Sequence, residues 1–67
     1  MTEKQEYIYN IIKEFINENG YAPTVREIGK LAGLNSPATV FQHLKKLKVK
    51  GYIDYIEEKS RTIRILK

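Results

Sequence analysis

The sequence predicts a mainly α fold closed by a small β-hairpin, an α+β arrangement of the three-helix winged helix-turn-helix type. Three observations predict it. Apolar residues recur at helical spacing in three stretches, each opened by a capping residue and closed beside a glycine. Only Gly33, Leu34, Asn35 and Ser36 separate the second stretch from the third, a turn of helix-turn-helix length. Residues 52–56 and 62–66 are then rich in β-branched and aromatic side chains and flank a polar tip, the pattern of a hairpin.

The first helix is expected at about 3–18. Thr2 and Gln5 stand three apart, as a capping box requires. Ile8, Ile11, Ile12, Phe15 and Ile16 form one apolar face, and Gly20 is the residue past the end. Of Tyr7 and Tyr9, one is expected to pack and the other to stay partly exposed. Ala22-Pro23 is an extended connection, because a residue before proline avoids the helical region. The second helix is expected at about 25–32, with Thr24 and Glu27 as its capping box and Gly33 closing it. Val25, Ile28, Leu31 and Ala32 are its expected buried stripe. Gly29 costs a helix about 1 kcal/mol relative to alanine, which close helix-to-helix approach would justify.

The third helix is expected at about 37–50. Ser36 is read as its N-cap, its side chain accepting from the first turn, with Pro37 at the first helical position. Val40, Leu44 and Leu47 face the core. Ala38, Gln42 and Lys45 point the other way, flanked by Thr39 and Phe41. Lys45, Lys46, Lys48 and Lys50 load its C-terminal end before Gly51, either as a phosphate-binding ridge or as solvated charges complementing the helix dipole. The wing is expected at about 52–66. There Ile53, Ile63 and Ile65 face the helices, and Asp54 and Arg64 face water or each other.

Composition narrows the function. The 67 residues form one expected domain, 1–67, with no cysteine and hence no disulfide framework. No apolar run approaches the ~20 residues of a membrane helix, and the polar N-terminus has no signal-peptide core, so a cytoplasmic location is expected. Net charge is +4 and unevenly spread: residues 1–29 hold three basic and five acidic groups, residues 30–67 nine and three. A basic half suits a polyanionic partner. Catalysis is not expected. Ser36 and Ser60 have no orienting base, and Glu57-Glu58 are sequence neighbours, not carboxylates facing each other across a cleft. His43, the sole histidine, has no second ligand for a metal, and no cofactor is implied.

Five motifs then occur in order: G-Y-x-P-T-x-R-E-I at 20–28, G-L-x-S at 33–36, H-L-x-x-L at 43–47, K-G-x-I at 50–53 and S-R-x-I-R-I-L at 60–66. The series resembles the N-terminal DNA-binding domain of the LexA-type SOS repressors of bacteria. That resemblance implies a transcriptional repressor that reads operator half-sites in double-stranded DNA through the third helix, pairing as a homodimer on the DNA. It implies base reading by Ser36, Ala38, Thr39, Phe41 and Gln42, and phosphate contacts from Thr24, Arg26, Lys45, Lys46, Lys59, Ser60 and Arg61. It also implies that the Ser/Lys self-cleaving domain of full-length repressors lies outside residues 1–67. Ala38 and Phe41 depart from the polar residues of many relatives. Phe41 therefore has two readings, contact with a thymine methyl or packing against the core edge. The alternative function is protein docking, which would need an apolar patch on the outer face of the third helix.

Overall fold

The computed structural model describes all of residues 1–67, as three helices and a two-stranded antiparallel sheet: α1 Glu3–Asn19, α2 Val25–Ala32, α3 Pro37–Val49, β1 Ile53–Asp54 and β2 Arg64–Ile65. Both capping boxes form. Thr2 Oγ1 accepts from the Gln5 N–H while Gln5 Oε1 accepts from the Thr2 N–H, each at 3.2 Å. At α2, Thr24 and Glu27 exchange the same pair of bonds at 3.1 and 2.8 Å. Four first-turn donors at each start would otherwise lack intrahelical partners.

The turn between α2 and α3 is closed by backbone bonds that only a left-handed residue permits. Gly33 has φ 72°, and the Leu34 N–H returns to the Gly29 carbonyl at 2.8 Å. Leu34 is thereby folded back against the core. A Cβ on Gly29 would stand 3.2 Å from the Leu34 carbonyl oxygen and 3.5 Å from Val40 Cγ2, so the close approach expected there is present. α3 is closed by a similar pair of backbone bonds, in which the Gly51 and Tyr52 N–H groups donate to the Lys48 and Leu47 carbonyls, each at 3.0 Å.

Two local expectations fail. Ser36 makes no side-chain capping bond; its backbone carbonyl instead accepts from Thr39 and Val40 at 3.2 and 3.4 Å. Pro37 removes one first-turn donor and the tight Thr39 bond satisfies another, so the hydroxyl is left facing solvent. Leu31 is 54% exposed and not part of the buried stripe. At about 100° per residue it lies roughly 60° beyond Ile28, off the edge of the face that Val25, Ile28 and Ala32 present.

Ile8 and Ile12 from α1, Ile28 from α2, and Val40, Leu44 and Leu47 from α3 meet in one core, closed below by Ile53 and Ile63. Truncating any of these isoleucines or leucines to alanine removes about 2–5 kcal/mol, a large share of the stability of so small a domain. Tyr9 is buried and its hydroxyl donates to the Lys67 carbonyl, while Tyr7 is exposed, in line with the one-packed, one-exposed expectation. Gln5 is buried too, because its side-chain oxygen also accepts from Lys50 Nζ at 3.2 Å and ties the start of α1 to the end of α3.

The wing differs most from expectation. Its strands are two residues long, pairing Ile53 with Ile65 and Asp54 with Arg64, not the five-residue runs 52–56 and 62–66. Side chains divert the backbone from the ladder. Asp54 Oδ1 accepts from the Tyr55 N–H and Thr62 Oγ1 from the Ile56 N–H, both at 2.9 Å. Residues 55–63 form a loop in which Glu58 and Arg61 adopt left-handed φ values of 65° and 58°. Ile53 and Ile63 do face the helices, with Ile65 half-buried, and Arg64 meets Asp54 at 3.3 Å. No helix is long and apolar enough to cross a membrane.

Candidate nucleic-acid interface

A cleft of about 780 Å³ runs between the start of α2, the outer face of α3 and the wing. Helix geometry explains who lines it. Taking Val40 as the inward direction, Ala38, Phe41, Gln42 and Lys45 fall at roughly 100–200° around α3, the side turned toward the wing. All four line the cleft, with Thr24 and Arg26 from the α2 start and Lys59, Ser60 and Arg61 from the wing. Nine of the twelve residues expected at the site are thus brought together around one concavity.

The other three lie beside it. Thr39 and Lys46 fall on the opposite flank of the α3 outer face, about 100–120° from the core direction. Thr39 is half-buried and Lys46 exposed. Ser36 is exposed at the α3 N-terminus with its hydroxyl uncommitted. The whole set therefore forms a ridge, α3, with a groove along one flank.

Phe41 is 48% exposed and lines the cleft, so it is not a core residue. Val49, at 86%, is the other strongly exposed apolar side chain of α3, two turns away. Polar and basic residues of α3 separate the two, and Phe41 joins the apolar lining of the cleft with Val25, Tyr55 and Ile63.

The lysines divide into two pairs. Lys48 Nζ donates to the Tyr55 carbonyl at 3.1 Å, lies 4.4 Å above the Tyr55 ring and stands 3.6 Å from Asp54. Lys50 bonds to Gln5. Both are occupied in holding the fold. Lys45 and Lys46 are exposed and enter none of the three ion pairs. They are available for a polyanion.

Arg61 is also engaged. Its Nη1 and Nη2 donate to the two carboxylate oxygens of Glu27 at 2.9 and 3.2 Å, Nη1 donates again to the Ala22 carbonyl at 3.1 Å, and the guanidinium lies 4.8 Å from the Tyr21 ring centre. The Thr24 backbone N–H, followed by the Arg61 bonds, holds the Glu27 carboxyl below its usual range. Asp54 is likewise held low, first by the Tyr55 N–H and then by Arg64.

Sequence reasoning missed Glu57, Glu58 and Tyr55 on the cleft. The acidic pair reads as a solvated hairpin tip until the left-handed turn at Glu58 brings the loop alongside α3. His43 sits outside the cleft, half-buried, its Nδ1 enclosed without a hydrogen-bond partner.

A helix-turn-helix whose second helix presents small, amide, hydroxyl and basic groups beside a short wing defines the winged helix-turn-helix class. The profile of the LexA DNA binding domain matches residues 1–62, and the chain belongs to that family. It is 42% identical over 66 residues to the LexA repressor of Carboxydothermus hydrogenoformans and 47% identical over 66 residues to that of Staphylococcus aureus. Each alignment covers 98% of this chain and 32% of the relative, so the chain spans about a third of the length of the repressors it matches.

Proposed function

We propose that residues 1–67 are one domain that binds double-stranded DNA in a sequence-specific manner, as the DNA-reading part of a LexA-like transcriptional repressor of the DNA-damage (SOS) response. One observation carries this reading. Of the two α3 lysines that the fold leaves unpaired, Lys45 lies on the helix surface formed with Ala38, Phe41 and Gln42, and Lys46 on its opposite flank, with the wing alongside. α3 enters the major groove, where Ser36, Ala38, Thr39, Phe41 and Gln42 meet base edges. Gln42 suits an adenine edge, and Ala38 and Phe41 suit thymine methyls. Thr24, Arg26, Lys45, Lys46, Lys59 and Ser60 take phosphates, which position the helix without reading sequence.

Two copies bind an operator of paired half-sites, and the protein works in the cytoplasm. Half-sites for such motifs are spaced about one helical turn or a multiple of it. The test is selection from a pool of randomised duplexes, followed by salt titration of the enriched sequence. An enriched half-site repeated at fixed spacing is the expected result. Salt-sensitive binding with no enrichment would overturn sequence specificity, and no binding at low salt would favour the docking alternative.

A further inference from the structure

Arg61 ties the wing to the helices in addition to the sheet, the buried Ile63 and the Lys48–Tyr55 contact. Only two residue pairs form the β-ladder, and residues 55–63 form the loop between its strands, with Ile63 buried at its end. Across 34 residues of sequence, Arg61 grips both Glu27 carboxylate oxygens at 2.9 and 3.2 Å. A planar guanidinium on a carboxylate in this fork geometry fixes direction as well as distance. Both ends are anchored. Glu27 Oε1 also accepts from the Thr24 N–H at 2.8 Å, which locks the carboxylate to the first turn of α2. Arg61 is further held by the Ala22 carbonyl at 3.1 Å and by the Tyr21 ring. Its φ of 58° is one that a non-glycine residue keeps only where its surroundings fix it.

We propose that the Arg61–Glu27 pair is a latch that sets the wing against the helix-turn-helix. Arg61 is then a positioning residue for Lys59 and Ser60, not itself a phosphate contact. This rests on the DNA-binding reading above. The latch predicts a sign that charge alone does not. Glu27 is an acid joined to a residue lining the cleft, so by electrostatics its neutralisation would tighten binding to a polyanion. The latch requires the reverse. Glu27→Gln keeps an oxygen for the Thr24 N–H, so α2 stays capped while the forked ion pair is lost.

The experiment compares wild type, Glu27→Gln, Arg61→Gln and the double variant in binding to the selected duplex, or to the randomised pool if none is enriched. Amide hydrogen exchange is followed in parallel at Ile56 and Lys59, whose N–H groups bond to Thr62 and Ile56 within the wing. Each single variant is expected to bind ~2–5-fold more weakly, the range of an exposed ion pair. The double variant is expected to be no weaker than the weaker single, since both remove one interaction. The two wing amides should exchange faster while α1 amides keep their rates. Tighter or unchanged binding by Glu27→Gln overturns the latch, as does unaltered wing exchange. If the wild type binds no duplex at all, the DNA reading fails, and wing exchange alone decides whether the latch exists.

Discussion

Single side chains at this surface divide by what they are free to do. Lys48, Lys50 and Arg61 are all cationic and all bonded inside the fold, whereas Lys45 and Lys46 are not. Lys45→Ala or Lys46→Ala is therefore expected to weaken binding to every duplex alike and to reduce the salt slope by ~1, read from affinities at several salt concentrations. Gln42→Ala and Thr39→Ala should instead relax preference at a single base pair by ~1–3 kcal/mol, read by competition between operator and point-variant duplexes. The carboxylates set a pH dependence. Glu27 and Asp54 are both held below their ordinary values of 4.5 and 3.8 by hydrogen bonds in the folded state. A depressed folded-state pKa contributes stability that is complete above the unfolded-state value and fades as pH falls through the folded one. Thermal unfolding should accordingly be flat near neutrality and shift downward below about pH 4.5, with Glu27→Gln showing a smaller acid shift than wild type. What sequence cannot display at this scale is long-range pairing. Glu27 with Arg61 and Gln5 with Lys50 are separated by 34 and 45 residues. Nothing in either local pattern marks one as the other's partner, and Arg61 therefore reads as a free basic tip.

At the level of elements, the helices and the presence of a hairpin were legible and the lengths of its strands were not, for one physical reason. Helix starts and stops are decided by residues within one turn. Thr2 with Gln5, Thr24 with Glu27, and Gly20, Gly33 and Gly51 act where the sequence places them. The observed helix bounds match the expected ones except at the ends of α1 and α3, each off by one residue. A strand is decided by its partner. Here Asp54 and Thr62 draw backbone N–H groups to their side chains, and the ladder stops after two pairs although residues 55 and 56 have strand-forming chemistry. Ser36 makes no side-chain cap because its carbonyl takes the Thr39 N–H, the equivalent of the donor that the Thr2 and Thr24 hydroxyls accept from. The α2–α3 turn depends on the left-handed conformation of Gly33. A Cβ on Gly33 would meet nothing within 4 Å, so the cost of Gly33→Ala is conformational alone. About 1–2 kcal/mol is expected for an L-residue held left-handed, measured as loss of unfolding free energy in urea. A stability equal to wild type would show that the turn can be remade with negative φ.

For the whole molecule, a core of ten buried apolar residues holds a ridge and a flanking groove in fixed relation. The candidate site was legible in its helical part, where periodicity alone places Ala38, Gln42 and Lys45 together. Its third wall was not, because the wing's path depends on left-handed residues at Glu58 and Arg61 and on the contact with α2. On the proposed reading, a lone domain binds modestly, and two copies joined on one operator gain through effective concentration. Linking two domains with a flexible segment matched to the half-site spacing should raise affinity by at least ~10²-fold over one domain, with no gain on a single half-site. Whether the outer face of α3 with the wing beside it reads DNA is decided by mapping amide chemical shifts as the selected duplex is added to isotope-labelled domain. Changes are expected at residues 36–46, at Thr24 and Arg26, and at Lys59 and Ser60, with the exposed side of α1 unmoved. Shifts concentrated on α1, or around Val49 and Leu66 with α3 residues 38–42 silent, would contradict this role for α3.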